Sequence, residues 1–141
     1  TMRRSVIERL SPEGLYKLRD AGGRAYPQVI RVSQGTQIYL SGLVAVDADG
    51  NLIGENDMAA QATAVYENIG RVLAVVGAGP GNAVSCKVFA TDLDSYRQHG
   101  SSVAGAFFGG SRPTSTVVEV IRLADPRYLI DVQVIAVVDR E

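Results

Sequence analysis

Hydrophobic positions recur along this chain at two different periods. Met58, Ala62, Val65, Tyr66, Ile69, Val72, Leu73 and Val76 fall three or four residues apart, which lines one side of an α-helix. Asn56 or Asp57 is placed to cap its start, and "GAGPG" stops it. "DSYRQHGSSVAGAFFGG" predicts a second, weaker helix, diluted by Gly100 and Gly105 and closed by Gly109 and Gly110. Elsewhere the period is two, and "PQVIRV", "TQIYLSG", "AVSCKVFATDL", "RPTSTVVEV" and "YLIDVQVIAVV" read as strands. "SQG" marks a turn between the first two, and "ADPR" a turn before the last. Near the N-terminus, Ser11-Pro12 and the later Gly22 bracket "SPEGLYKLRDAGG" as a short helix.

The predicted order is β-β-(β)-α-β-α-β-β, with no repeat, low-complexity segment or linker. That predicts one α+β domain over residues 1–141, in which residues 1–22 form an N-terminal extension carrying the short helix. "VAVDADGNLIG" sets Asp-Ala-Asp-Gly-Asn between two apolar arms. A calcium loop starting at Asp47 needs a bidentate Glu at its twelfth position, which here is Met58, so the reading is a tight turn. "GAGPG" follows a helix and precedes a strand, the reverse of the order that aims helix N–H groups at a phosphate.

Strand faces raise the functional question. Alternation sets Ser115, Val117, Glu119 and Ile121 on one face of their strand, and Lys87 and Phe89 on the less apolar face of theirs. In the last strand, Ile130, Val132, Val134 and Ala136 are clean, whereas Leu129, Asp131, Gln133, Ile135 and Val137 are mixed. With both helices on the cleaner face, Lys87, Glu119, Asp131 and Gln133 are expected together on the other, among Val117 and other large apolar side chains. Such a face is too apolar for open solvent. It is also too polar for a dry core, since leaving a buried charge without its partner costs about 3–5 kcal/mol. A subunit interface resolves both problems, so an oligomer is expected.

Composition removes several classes of function. Hydrophobic residues make up 46% and charged residues 21%, with a net charge of −1 and basic residues that are scattered, so no nucleic-acid partner is expected. Cys86 and His99 are the single cysteine and histidine, which leaves no intrachain disulfide, no cysteine-based or two-histidine metal site and hence no metal in the expected function. Cys86 reads as a small buried hydrophobe and His99 as a solvent-facing helix residue. No apolar run approaches the roughly 20 residues of a membrane span, and "TMRRSVIERL" lacks a signal peptide's apolar core. A cytoplasmic protein without membrane contact is the expectation.

The pieces "AYPQVIRV", "IYLSGLVAVDADGNLIG", "AAQATAVYENIGRVLAVVGAG", "KVFATDLDSY", "AFFGG" and "RPTSTVVEV…LIDVQVIAVV", in this order over about residues 23–140, resemble the RidA (YjgF) family of reactive-intermediate deaminases. The resemblance implies a chorismate-mutase-like α+β fold: a mixed sheet with two helices on one face, assembled as a homotrimer with ligand clefts between subunits. It implies cofactor-free hydrolysis of small enamines and imines to a keto acid and ammonia. Well-known members bind the substrate carboxylate with an arginine on the penultimate strand and handle water or protons with a glutamate on the last one. Carried over, the pocket tyrosine falls on Tyr26, the serine of "SG" on Ser41 and the last-strand acid on Asp131.

The arginine position falls on Ser115, and a serine supplies no charged fork. Arg112, beside Pro113, is the candidate substitute. The expected site is therefore Asp131 as the catalytic acid, with Tyr26, Ser41, Ser115, Val117 and Arg112 binding the substrate. The expected reaction is deamination of an enamine, imine or aminomuconate-type acid. The alternative is a ligand-binding or chaperone-like trimer using the same cleft. Ribonuclease activity, also attached to parts of the family, ranks low for want of a basic stripe or stacking platform. Glu119 is expected to pair with an arginine at an interface.

Overall fold

The computed structural model describes residues 5–20 and 22–140. Strand β1 (Val6–Leu10) pairs antiparallel with β2 (Val29–Gln34) in a two-stranded ribbon. A four-stranded mixed sheet has the order β3 (Thr36–Tyr39), β6 (Ile130–Val138), β4 (Ala83–Ala90), β5 (Thr114–Glu119). Only β4 and β5 run parallel, and their crossover carries the second helical segment. That segment is a short turn of helix, α2 (Leu93–Ser95), a π-helical turn Tyr96–Gly100, and α3 (Ser101–Phe108). The other helix, α1 (Met58–Val75), precedes β4 through the single 3₁₀ turn Pro80–Asn82.

Both helices cover one face of the sheet. Cys86, Val88 and Ala90 of β4 and Ile130, Val132, Val134 and Ala136 of β6 join Met58, Ala62, Val65, Tyr66, Ile69, Leu73 and Phe108 in one buried cluster. Burial of each such aliphatic side chain stabilises by about 1.5–3 kcal/mol. The α1 stripe is as the periodicity predicts except at its end, where Val72 and Val76 stay partly exposed. Asp57, not Asn56, supplies the cap, accepting from the Ala60 N–H at 3.0 Å. Phe107 stacks 5.5 Å from Tyr66 and 5.0 Å from Phe108, pinning α3 to α1 over Gly70.

Several expectations fail for local reasons. Residues 11–20 hold turns rather than a helix: Gly14 takes φ +83°, and Leu15, Tyr16 and Leu18 have no core to pack against. The expected N-terminal extension is instead tied in by β1, where Arg9 donates to the carbonyls of Arg112 at 2.9 Å and Gly81 at 2.9 Å; its residues 1–4 and 21 lie outside the described part. The "SQG" turn is a bend at Gly35, across which β2 and β3 pair with different partners. The Asp47–Gly50 turn is as expected, with Asp47 Oδ1 accepting from the N–H groups of Asp49 and Asn51.

The larger correction concerns the strand faces. In the register of β4, Cys86 lies opposite both Ser115 and Val134, and Val88 opposite both Val117 and Val132. Directly opposed residues share a face, so Ser115, Val117 and Glu119 belong to the helix-covered side. Lys87 lies opposite Thr116 and Gln133, and Phe89 opposite Val118 and Asp131, so these make up the outer face. Alternation within β5 was legible in the sequence; its phase relative to β4 and β6 was not. The Glu119 carboxylate accepts from the Leu93 N–H at 3.0 Å, at the start of α2.

Candidate functional site

The six predicted site residues divide between two places. The first is on the outer face, where β6 meets the segment after β3. Tyr39 lies opposite Ile135 and Leu43 opposite Val132, so Leu40, Ser41 and Gly42 face only Val134 and Gln133. The extra residue makes a β-bulge at Ser41-Gly42, a device that re-aims backbone and side chains. Asp131 lies against this bulge so closely that a Cβ on Gly42 would come within 2.3 Å of its Oδ1. Oδ1 is buried and has no hydrogen-bond partner, and desolvation raises the pKa of the carboxyl above its ordinary value. Ser41, the bulge residue before Gly42, is exposed.

The second place lies on the helix side, beneath α3. Arg112 precedes β5 and, with Gln61, is one of two buried polar or charged residues among the described residues. Gln61 is satisfied: it donates to the carbonyls of Gly54 and Arg127 and accepts from the Leu129 N–H at 2.8 Å. Arg112 is not. Its Nη1 meets Asp20 Oδ2 at 2.5 Å and its guanidinium carbon lies 5.6 Å from the centre of the Tyr26 ring, a cation–π distance, but Nε has no partner. Gly105 of α3 leaves the room, since a Cβ there would lie 3.1 Å from Arg112 Nη2.

A tight loop supplies both Asp20 and Tyr26. Asp20 N–H donates to the Arg24 carbonyl at 2.9 Å, Arg24 N–H to Asp20 Oδ1 at 2.9 Å, and Tyr26 N–H to the Leu18 carbonyl. Burial would raise the Asp20 pKa, but the Arg24 N–H and the Arg112 charge outweigh it and hold the carboxyl below its ordinary value. Burial, then the nearby Asp20 charge, raises the Tyr26 hydroxyl.

Arg112, Tyr26, Ser115 and Val117 line one inner cavity with Cys86, Tyr66 and Tyr96. Its volume of about 20 Å³ suits a water molecule, not a substrate. Outside it runs an open groove of about 440 Å³ lined by Arg19, Asp20, Tyr26, Tyr96, Arg97 and Val117. Burial pushes the Cys86 thiol up to about 12, which leaves it un-ionised and unreactive, and His99 is exposed, as both were read.

The structure therefore joins Tyr26, Arg112, Ser115 and Val117, sets Asp131 against the bulge that carries Ser41, and separates the two groups across the sheet. Sequence reasoning missed Asp20 and Gly42. The signal for Gly42 was present, since a glycine inside an apolar strand marks a bulge or a close approach. For Asp20 there was none beyond a turn-forming "DAGG".

Comparison with known proteins agrees with this architecture. Residues 20–138 match the family model described as Endoribonuclease L-PSP. A RutC family protein of Pyrococcus abyssi is 32% identical over 111 residues, 79% of this chain and 84% of the relative. Protein DfrA of Myxococcus xanthus is 34% identical over 98 residues, 70% of this chain and 74% of its own length. Among solved structures, the Rid family protein YyfB of Yersinia pestis superposes with a TM-score of 0.82 at 22% identity, covering 94% of this chain and 98% of that one, a likeness of fold alone. YyfA of the same organism gives 0.68 at 27% identity, over 94% and 100%. Fold, order of elements and sequence converge: the chain belongs to the Endoribonuclease L-PSP family, the RidA (YjgF) proteins.

Proposed function

We propose that this protein is a cofactor-free hydrolytic deaminase of a small enamine or imine, working in clefts between the subunits of a homotrimer. The observation that carries the reading is Asp131: a half-buried carboxylate with an orphaned oxygen and a raised pKa, against a bulge where any side chain at position 42 would have to displace it. A buried acid without a partner costs stability, and such groups concentrate where chemistry is done. The two half-sites supply a reason for the trimer. One subunit presents Asp131, Ser41 and the bulge, and a neighbour presents Tyr26 and the groove.

In the reaction, the enamine is taken up as its imine tautomer. Asp131 accepts a proton from a water molecule whose oxygen adds to the C=N carbon. That proton passes from Asp131 to the nitrogen, giving the carbinolamine. The carboxylate then takes the carbinolamine hydroxyl proton as the carbonyl forms and delivers it to the nitrogen as the C–N bond breaks and ammonia leaves. A carboxyl with an elevated pKa suits both transfers. The Ser41 hydroxyl and the backbone of the bulge orient the water or the substrate.

The test is ammonia release from freshly generated 2-aminoacrylate and larger enamines by wild type and Asp131→Asn, with the oligomeric state measured in parallel. The expected result is a trimer in both and a loss of about 10²–10⁴-fold in the variant, the usual range for a general acid–base group. Unchanged turnover in Asp131→Asn removes the role given to it. A second reading, a ligand-binding trimer without turnover, is favoured by one observation: the guanidinium that replaces the family's clamp is already paired with Asp20. It predicts saturable binding with no ammonia released by wild type.

A further inference from the structure

The openings around Arg112 are arranged in an order that the deaminase reading does not use. The groove contains Asp20, Tyr26, Tyr96 and Val117 but not Arg112. The water-sized cavity behind it contains Arg112, Tyr26, Tyr96 and Val117 but not Asp20. A separate depression of about 290 Å³, by Ser101 and Gly105, is lined by both. Asp20 therefore lines the groove's side of the pair, and Arg112 lines the cavity behind it. Both side chains are more than nine-tenths buried, at 8% and 7% exposure, and Arg112 Nε is left with an unmet hydrogen. A carboxylate on a guanidinium fork is what a bound substrate acid would look like.

We infer that Asp20 is a built-in carboxylate that closes the Arg112 anion site, so that the cleft selects a ligand whose inner end is neutral and polar, such as an amide or imine, over a free carboxylate. This rests on the reading of the cleft as a small-ligand site, and it makes Asp20 a specificity-determining residue. A second anion brought to Arg112 would have to displace Asp20 from a pair held also by the Arg24 N–H, or lie beside it at the cost of like-charge repulsion. A neutral polar group meets neither obstacle. Arg19 and Arg97 also line the groove, but both are exposed, and the Arg19 guanidinium donates to the Gly23 carbonyl. They form a solvated rim, where a charge contributes little.

The test is calorimetric binding of pyruvate and of its amide, pyruvamide, to wild type, Asp20→Asn and Asp20→Asn/Arg112→Met. Wild type is expected to prefer pyruvamide. Asp20→Asn is expected to bind pyruvate at least tenfold more tightly than wild type does, reversing the preference, and the added Arg112→Met to abolish that gain. Asn keeps an acceptor for the Arg24 N–H; Asp20→Ser repeats the measurement if Asn disturbs the fold by circular dichroism. A wild-type preference for pyruvate, a gain that survives Arg112→Met, or no binding of either probe to the Asp20 variants overturns the inference. Because binding is read without turnover, the result is separate from that of Asp131→Asn. An inactive wild type that still shows the predicted preference removes only the deaminase reading.

Discussion

The outer bulge and the buried cluster under α3 hold opposite kinds of unfinished electrostatics. At the bulge, Asp131 has a buried oxygen and no partner. Under α3, Arg112 has a partner so close that the pair is internally neutral. The difference teaches where each region's free energy goes. An unpaired buried acid destabilises the fold but stays available for proton transfer. A paired buried cation is stable only while its partner stays, and is withheld from ligands.

The sharpest way to break this comparison is to remove one half of the buried pair. Arg112→Met leaves the Asp20 carboxylate without its cation, and a loss of about 3 kcal/mol in denaturant unfolding is expected, the low end for a broken buried ion pair. Adding Asp20→Asn is expected to recover much of that loss, because the stranded charge goes with it. Additive losses in the double variant would show that the pair is not coupled.

Next in size is Gly42→Ala. The added methyl would sit 2.3 Å from Asp131 Oδ1, so the bulge or the carboxylate must shift. A loss of about 1–3 kcal/mol is expected, as for other overpacked sites, together with a fall in ammonia release comparable to that of Asp131→Asn. Retention of full turnover would detach the bulge from the chemistry.

The smallest effect has the more telling sign. Asp131→Asn is expected to raise stability at pH 7, by about 1 kcal/mol or less, while removing activity. The folded-state pKa of Asp131 lies above its ordinary value of 3.8, so the native state binds this proton more tightly than the unfolded chain does. Ionisation therefore destabilises the fold, with the full penalty above the folded pKa and none below about pH 3.8. The gain from Asn should accordingly fade as the pH falls through that window. Thermal melts at pH 7 and pH 3.5 check it, and a destabilised variant at pH 7 would mean that the carboxylate has a stabilising partner in the assembled protein.

Part of this was readable in advance. The α1 stripe, its stop at Gly77 and the clean face of β6 follow from local periodicity and from backbone preferences at single residues, which need no knowledge of the rest of the chain. Tyr26, Ser41 and Asp131 were placed by resemblance. The pairing of Ser115 with Asp131 on one face was expected and is absent, because alternation along a strand tells which residues share a side but not which side of the sheet that is. The short helix at residues 11–20 fails on a similar ground. Its end signals are present, but no apolar surface is available to hold so short a helix.

By itself, then, the sequence determined the two main helices, strands β2 to β6, their order and the family to which the chain belongs, since these depend on interactions between residues near in the chain or on pattern alone; β1 was not among the predicted strands. Only the tertiary structure decided which residues meet. Register between β4, β5 and β6 sent Ser115 to the helices and Asp131 to the outer face, and a bulge pressed Gly42 onto that acid. Asp20 and Arg112, 92 residues apart in sequence, became one neutral pair. Those outcomes are set by long-range pairing, in which a shift of one residue exchanges the two faces of a strand.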